Sequence, residues 1–241
     1  MTDLVLASSS PRRREILASL GLAFEILVPE LDESGRDHFP VEERVLALAE
    51  DKARAAAALL PLDRECMILA ADTLVRVREG FAGEGSILGK PASRDEAAAM
   101  IRSLAGVSHD VYTGLALLSL HSGRMDRIRS DSRVRFAPMD EAEIEAYLDS
   151  DDWRGVAGAY KIQGRAALYI ESIEGSWSGI VGLPLRELYV ILNRAGFPLS
   201  RLGGERGADG DIPRDAWRPA APCASPLVKA PGDIPSPARG R

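Results

Sequence analysis

The stretch Leu4-Val-Leu-Ala-Ser-Ser-Ser-Pro-Arg-Arg-Arg14 decides the fold class. Its apolar run from Leu4 to Ala7 is too short for a stable helix and suits a buried strand. Ser10 then stands where a helix needs an N-cap, Pro11 follows at the first helical position, and Gly21 sits just past the expected end. A strand that turns through small polar residues directly into a helix is the opening half of an α/β unit.

The alternation continues outward from there. Phe24 to Val28 reads as a second strand, Val41 to about Leu60 as a long helix, and Met67 to Ala71 as a buried strand that the pattern extends through Leu74 to Arg78. Ser93-Arg-Asp-Glu96 reads as a capping box opening a helix that stops at Gly106, and Asp140-Glu-Ala-Glu143 opens another. Val111 to Leu120 and Met125 to Phe136 flank His-Ser-Gly-Arg, a hairpin signal. A strand near Ala167 to Ile173 and a helix from about Pro184 to Gly196 close the series. Short connections place all of this in a single α/β domain over residues 1–200, without internal repeats. Residues 201–241 hold seven prolines and six glycines with few large apolar side chains. Such a segment cannot offset its ordering entropy and is expected to be a flexible tail.

Across 241 residues, 36 acidic side chains oppose 30 basic ones, a net charge of −6. The tail carries seven basic and five acidic residues, a net +2, which leaves −8 on residues 1–200. With 46% hydrophobic and 27% charged residues the composition is that of a globular protein, which excludes collagen-like and disordered classes for the whole chain. An acidic body argues against a duplex nucleic acid partner, which requires a basic face. No run approaches the roughly 18 apolar residues of a membrane span, so no membrane partner is expected. The opening residues lack a basic leader and an apolar core, and the two cysteines, Cys66 and Cys223, do not suggest a disulfide framework. A reducing, cytoplasmic setting is the expectation. His38, His109 and His121 lack metal-ligand spacing, which argues against a zinc site.

Several residues break the pattern in ways that chemistry can explain. The hydroxyls of Ser8 to Ser10, with Arg12 and Arg13 and the amides of a helix start, suit an anion; an ordinary cap followed by solvated arginines is the plain alternative. On the helix from Val41, the apolar stripe Val41, Val45, Leu48 reaches Lys52 where the period demands an apolar residue, before Ala55 or Ala56 and Leu59. Lysine at such a place either snorkels past the core or meets an anion in a cleft. Asp72 follows a buried run, at the carboxyl end of a strand, where α/β folds open their ligand crevice. Gly85-Ser-Ile-Leu-Gly-Lys90-Pro91 has Glu84 where a P-loop needs glycine and Pro91 where it needs a hydroxyl, which excludes a Walker-type ATPase; Lys90 still offers one cation. Gln163, in Ala157-Gly-Ala-Tyr-Lys-Ile-Gln-Gly164, offers an amide that can read a base edge. Gly175-Ser-Trp-Ser-Gly179 is not a nucleophile elbow, because Trp177 stands where serine is required. Glu33 could join Asp72 around a hard divalent cation, or could be a solvated loop residue.

Taken together, Leu6-Ala-Ser-Ser-Ser-Pro-Arg-Arg13, the acidic run ending at Glu33, Lys52, Ala71-Asp-Thr73, Gly89-Lys-Pro91, Ala157-Gly-Ala-Tyr160, Ile162-Gln-Gly164 and Val181-Gly-Leu-Pro184 resemble the Maf family of nucleoside triphosphate pyrophosphatases. The resemblance implies an elongated α/β domain with a mixed twisted sheet and a central cleft, distantly akin to inosine triphosphate pyrophosphatases. It also implies a homodimer, a divalent cation (Mg²⁺ or Mn²⁺), and hydrolysis of a nucleoside triphosphate to the monophosphate and pyrophosphate. Carried over by resemblance, Asp72 is the proton acceptor; the charges themselves suggest that Asp72, with Glu33, holds the cation. By the same resemblance Arg12, Thr73 and Gln163 fall at positions tied to substrate choice, while from their charge and donors Ser8, Arg13, Lys52 and Lys90 are expected to contact phosphates. Arginine after Ser-Pro, Asp-Thr and Ile-Gln-Gly match the branch acting on dTTP and UTP rather than the one acting on 7-methyl-GTP. Val156, Lys161 and Gly179 depart from residues usual in the family. A non-catalytic nucleotide-binding regulator of septum formation is the competing reading, and it has no use for Asp72.

Overall fold

One long strand organises the sheet. In the computed structural model, which describes residues 3–32, 34–61, 63–78 and 85–198, β3 (Cys66–Val77) lies beside β1 (Asp3–Leu6), β4 (Ile87–Leu88) and β5 (Ser108–Ser119). β2 (Glu25–Ile26) flanks β1, and β6 (Met125–Phe136) and β7 (Ile170–Glu174) complete a seven-stranded sheet of order β2-β1-β3-β5-β6-β7, with β4 also on β3. β1 runs parallel to β2 and β3, and every other pairing is antiparallel, so the sheet is mixed, as expected.

The neighbours of β3 differ on its two edges. Along one edge β5 pairs without interruption from Met67 to Val77. Along the other, β1 pairs with Cys66 to Leu69 and β4 only with Val75 and Arg76. Residues 70–74 therefore have a strand on one side only, and Asp72 lies in the middle of that gap.

Helices cover both faces. α2 (Val41–Ala57) buries Val41, Val45, Leu48, Ala49, Ala53 and Ala56 against β3 and β5. Burial of Val45 and Leu48, at 0% and 1% exposure, contributes roughly 2 kcal/mol each. The alanines let the helix sit low, and Gly114 of β5 completes the fit, since a Cβ there would overlap the Val45 and Leu46 backbone. On the opposite face, α1 (Pro11–Ser19) and α6 (Leu185–Arg194) pack Leu17, Leu188 and Ile191 on Leu4, Leu69 and Leu115. α3 (Arg94–Leu104), α4 (Glu141–Leu148) and α5 (Trp177–Val181) bury Ile101, Leu104, Tyr147 and Ile180 with Val75 and Val77. No described helix is long and apolar enough to cross a membrane.

Several boundaries differ from the sequence reading. Ser10 caps α1 as expected, and Asp140 with Glu143 forms a reciprocal capping box. Ser93 caps α3 through the Glu96 amide, but the Glu96 carboxylate accepts from Ala92 rather than Ser93, so that box is incomplete. α2 ends at Ala57, which leaves Leu59 outside the stripe and 59% exposed. β3 runs unbroken from Cys66 to Val77, as the extended pattern implied, so Asp72 lies inside the strand rather than at the carboxyl end of one, with β5 paired along it. The strand expected from Ala167 begins at Ile170, after a 3₁₀ turn spanning Arg165–Tyr169. β2 covers two residues of the five expected, and α5 was not foreseen. The segment 201–241 lies outside the described residues.

Candidate active site

Side chains alternate along β3, so Asp72 faces α2 while Thr73 faces α1 and α5. Asp72 is 6% exposed, and its Oδ1 accepts a hydrogen bond from Lys52 Nζ at 2.6 Å. This answers the anomaly in the α2 stripe: the lysine at the apolar position meets a buried carboxylate on the strand beneath the helix. The second oxygen, Asp72 Oδ2, is buried without a protein hydrogen-bond partner. An acceptor in that state costs free energy unless a ligand, a cation or a proton satisfies it.

The turn after β1 supplies the cationic wall. Ser10 accepts from the Arg13 amide and Ser8 Oγ from the Ser10 amide, which folds the three serines back over the start of α1. Arg13 then crosses the strand ends. Its Nε donates to Gly182 O at 2.8 Å, Nη1 to Ser8 Oγ at 3.2 Å and Nη2 to Thr73 Oγ1 at 3.1 Å. Arg12 points the other way and donates to Gly155 O at 3.3 Å. Burial pulls the Arg12 guanidinium below its usual pKa, against the pull of Glu15.

These groups line one cleft of about 560 Å³. Ser8, Arg12, Arg13, Lys52, Asp72, Thr73, Lys90 and Gln163 all border it, so every described residue singled out in the sequence converges there. Gly158, at φ 68°, turns the far wall so that its amide reaches Gly89 O at 3.0 Å, which joins the segment bearing Gln163 to the one bearing Lys90. Glu33 lies outside the described residues, and among those described no cluster of three or more His, Cys, Asp or Glu forms a metal site.

The sequence reading passed over Arg44 and Tyr160. Arg44 borders the cleft, pairs with Asp37 and has a buried Nε without a partner. Its place two turns before Lys52 on the same helix was the available signal. Tyr160 presents its ring to the cleft while its hydroxyl is held at 2.8 Å by Nε2 of His109, which is fully buried. Burial pulls the His109 pKa down to about 4, against the weaker effect of Asp110.

Residues 3–195 match the Maf-like protein family. The chain belongs to the Maf family. Its relatives include a dTTP/UTP pyrophosphatase from Treponema denticola, 44% identical over 200 residues that cover 82% of this chain and 98% of that one. Another, from Pelotomaculum thermopropionicum, is 42% identical over 197 residues, covering 82% and 98%. A third, from Moorella thermoacetica, is 45% identical over 192 residues, covering 80% and 94%. In this Maf-family chain the matched span takes in the whole cleft, from the β1 turn to α6.

Proposed function

We propose that the chain hydrolyses nucleoside triphosphates, dTTP and UTP foremost, to the nucleoside monophosphate and pyrophosphate. The observation that carries this reading is Asp72: a buried carboxylate with one oxygen spent on Lys52 and the other unspent, in a cleft bordered by arginine and lysine. A protein that only bound phosphates would need the cations and not the acid. The names of the relatives, all dTTP/UTP pyrophosphatases, support the same substrate class.

In this reading Asp72 Oδ2 accepts the proton of a water that attacks the α-phosphorus. Lys52 balances the carboxylate charge and keeps its plane fixed. Arg13, held by Gly182, Ser8 and Thr73, faces the triphosphate together with Ser8 and Lys90, and these donors favour the charge that develops on departing pyrophosphate. Arg12 and Gln163, on the cleft walls, choose the base, and Thr73, beside Arg13, bears on the choice of substrate.

The unspent Asp72 oxygen also suits a hard divalent cation, Mg²⁺ or Mn²⁺, which Asp72 would hold with Glu33 and substrate oxygens. When bound, such a cation neutralises triphosphate charge and polarises the phosphoryl oxygens. A homodimer, the state implied by the family resemblance, in the cytoplasmic setting that the cysteine usage suggests, completes the reading, and light scattering tests the assembly.

The deciding experiment incubates purified protein with Mg²⁺ or Mn²⁺ and a panel of triphosphates, 7-methyl-GTP included, and separates pyrophosphate from orthophosphate. Pyrophosphate from dTTP and UTP is expected, with a loss of about 10³-fold or more in Asp72→Asn. Nucleotide binding without hydrolysis would favour the regulator.

A further inference from the structure

Thr73 and Thr113 face each other across the β3–β5 ladder, with their hydroxyls 3.0 Å apart. The direction of every proton in this group follows from the neighbours. Arg13 Nη2 can only donate, so Thr73 Oγ1 accepts from it at 3.1 Å. Gly179 O can only accept, so Thr113 spends its single proton there at 2.8 Å. The 3.0 Å contact is therefore Thr73 donating to Thr113. The Thr73 hydroxyl has no proton left for a ligand.

The chain of bonds closes on itself. Arg13 reaches Thr73, Thr73 reaches Thr113, Thr113 reaches Gly179 in α5, and Gly182 at the end of α5 accepts from Arg13 Nε at 2.8 Å. This ring ties α1, β3, β5 and α5 around one guanidinium. Thr113 is 0% exposed and does not border the cleft, so it cannot touch a ligand itself.

We propose that Thr113 is a positioning residue for Arg13, acting through Thr73, and that Thr73 bears on ligand binding by aiming Arg13 rather than by donating to a base. The proposal rests on the reading of the cleft as a polyphosphate site. Loss of the Thr113 hydroxyl strands the Thr73 proton and leaves the Gly179 carbonyl with the Gly182 amide alone, and Thr73 then turns away from Arg13. A guanidinium held by fewer acceptors samples other rotamers and binds phosphate less tightly.

The test is a double-mutant cycle with inorganic tripolyphosphate, bound to the full chain and followed by calorimetry. Thr113→Val is expected to weaken binding about tenfold, and Thr113→Ser to recover most of that loss. In an Arg13→Gln background Thr113→Val should cost nothing further. Equal losses in both backgrounds would reduce Thr113 to a purely structural residue and overturn the assignment, as would unchanged binding in Thr113→Val. Should Thr113→Val fail to fold, Thr73→Val breaks the same ring without exposing the Gly179 carbonyl, and the same non-additivity with Arg13→Gln is required. A wild-type chain that does not bind tripolyphosphate overturns the assignment as well. Turnover of dTTP by the wild type is measured separately, so its failure would sink the hydrolase reading while the cycle still decides the ring.

Discussion

Gly114→Ala is a one-carbon change that should act at a distance. A Cβ on Gly114 would lie 2.6 Å from the Val45 carbonyl carbon and 2.9 Å from the Leu46 amide nitrogen, where ordinary contact begins at 3.4 Å. These are backbone atoms in the middle of α2, so no rotamer change relieves the overlap. The helix must lift by at least the shortfall, about 0.8 Å, working against the dense packing of its alanine face. In a strand, Gly→Ala ordinarily stabilises by about 0.5–1 kcal/mol. Overpacking of this kind costs about 1–3 kcal/mol and should reverse that sign, for a net loss of about 1 kcal/mol. The same lift would draw Lys52 away from Asp72, whose present separation is 2.6 Å, and a displacement near 1 Å in a site costs up to about 10²-fold in kcat/KM. Urea denaturation with pyrophosphate release on the same samples measures both. A Gly114→Ala protein as stable and as active as wild type would show that α2 is not seated as described.

Further outcomes can be checked with the same tools. Lys52→Met leaves a buried carboxylate without its cation and should cost about 3 kcal/mol at neutral pH, while adding Asp72→Asn recovers most of it; equal costs for the single and double variants would refute the pairing. His109 is held neutral when folded, with a pKa of about 4 against an ordinary 6.5. Its contribution is thus complete above pH 6.5 and is lost as pH falls towards 4, by roughly 3 kcal/mol. His109→Phe should flatten that stretch of the stability profile, and an unchanged slope would show that another group is responsible.

The order of elements was legible in the sequence because local signals agreed with the global arrangement: Ser10 and Pro11 start α1, Asp140 and Glu143 start α4, and the alanine-rich stripe marks α2. What could not be read were features set by partners distant in the chain. The pattern carries β3 on past Asp72, but nothing local to residues 66–77 says that β5 pairs along its length while the other edge stays open between Leu69 and Val75. α5 is a single short helix whose cap, Ser176, is unremarkable in sequence, yet it brings Gly182 to Arg13. Lys52 was legible for the opposite reason, since a lysine inside an apolar period is a local contradiction that only a tertiary partner resolves. Thr113 gave no signal at all, because a threonine in a strand is what β-propensity prefers.

The two unlike edges of β3 divide labour between permanence and change. Along the β5 edge the unbroken backbone ladder fixes the height and direction of the Asp72 carboxylate. Along the opposite edge no strand pairs with β3 between Leu69 and Val75, and loops border the space. Substitutions or length changes in those loops can remodel what the cleft admits without displacing the acid it is built around. A lineage with this arrangement is free to drift from one nucleotide to another while its reaction stays put, and an engineer seeking a new substrate should randomise the loop side and leave the β3–β5 register untouched.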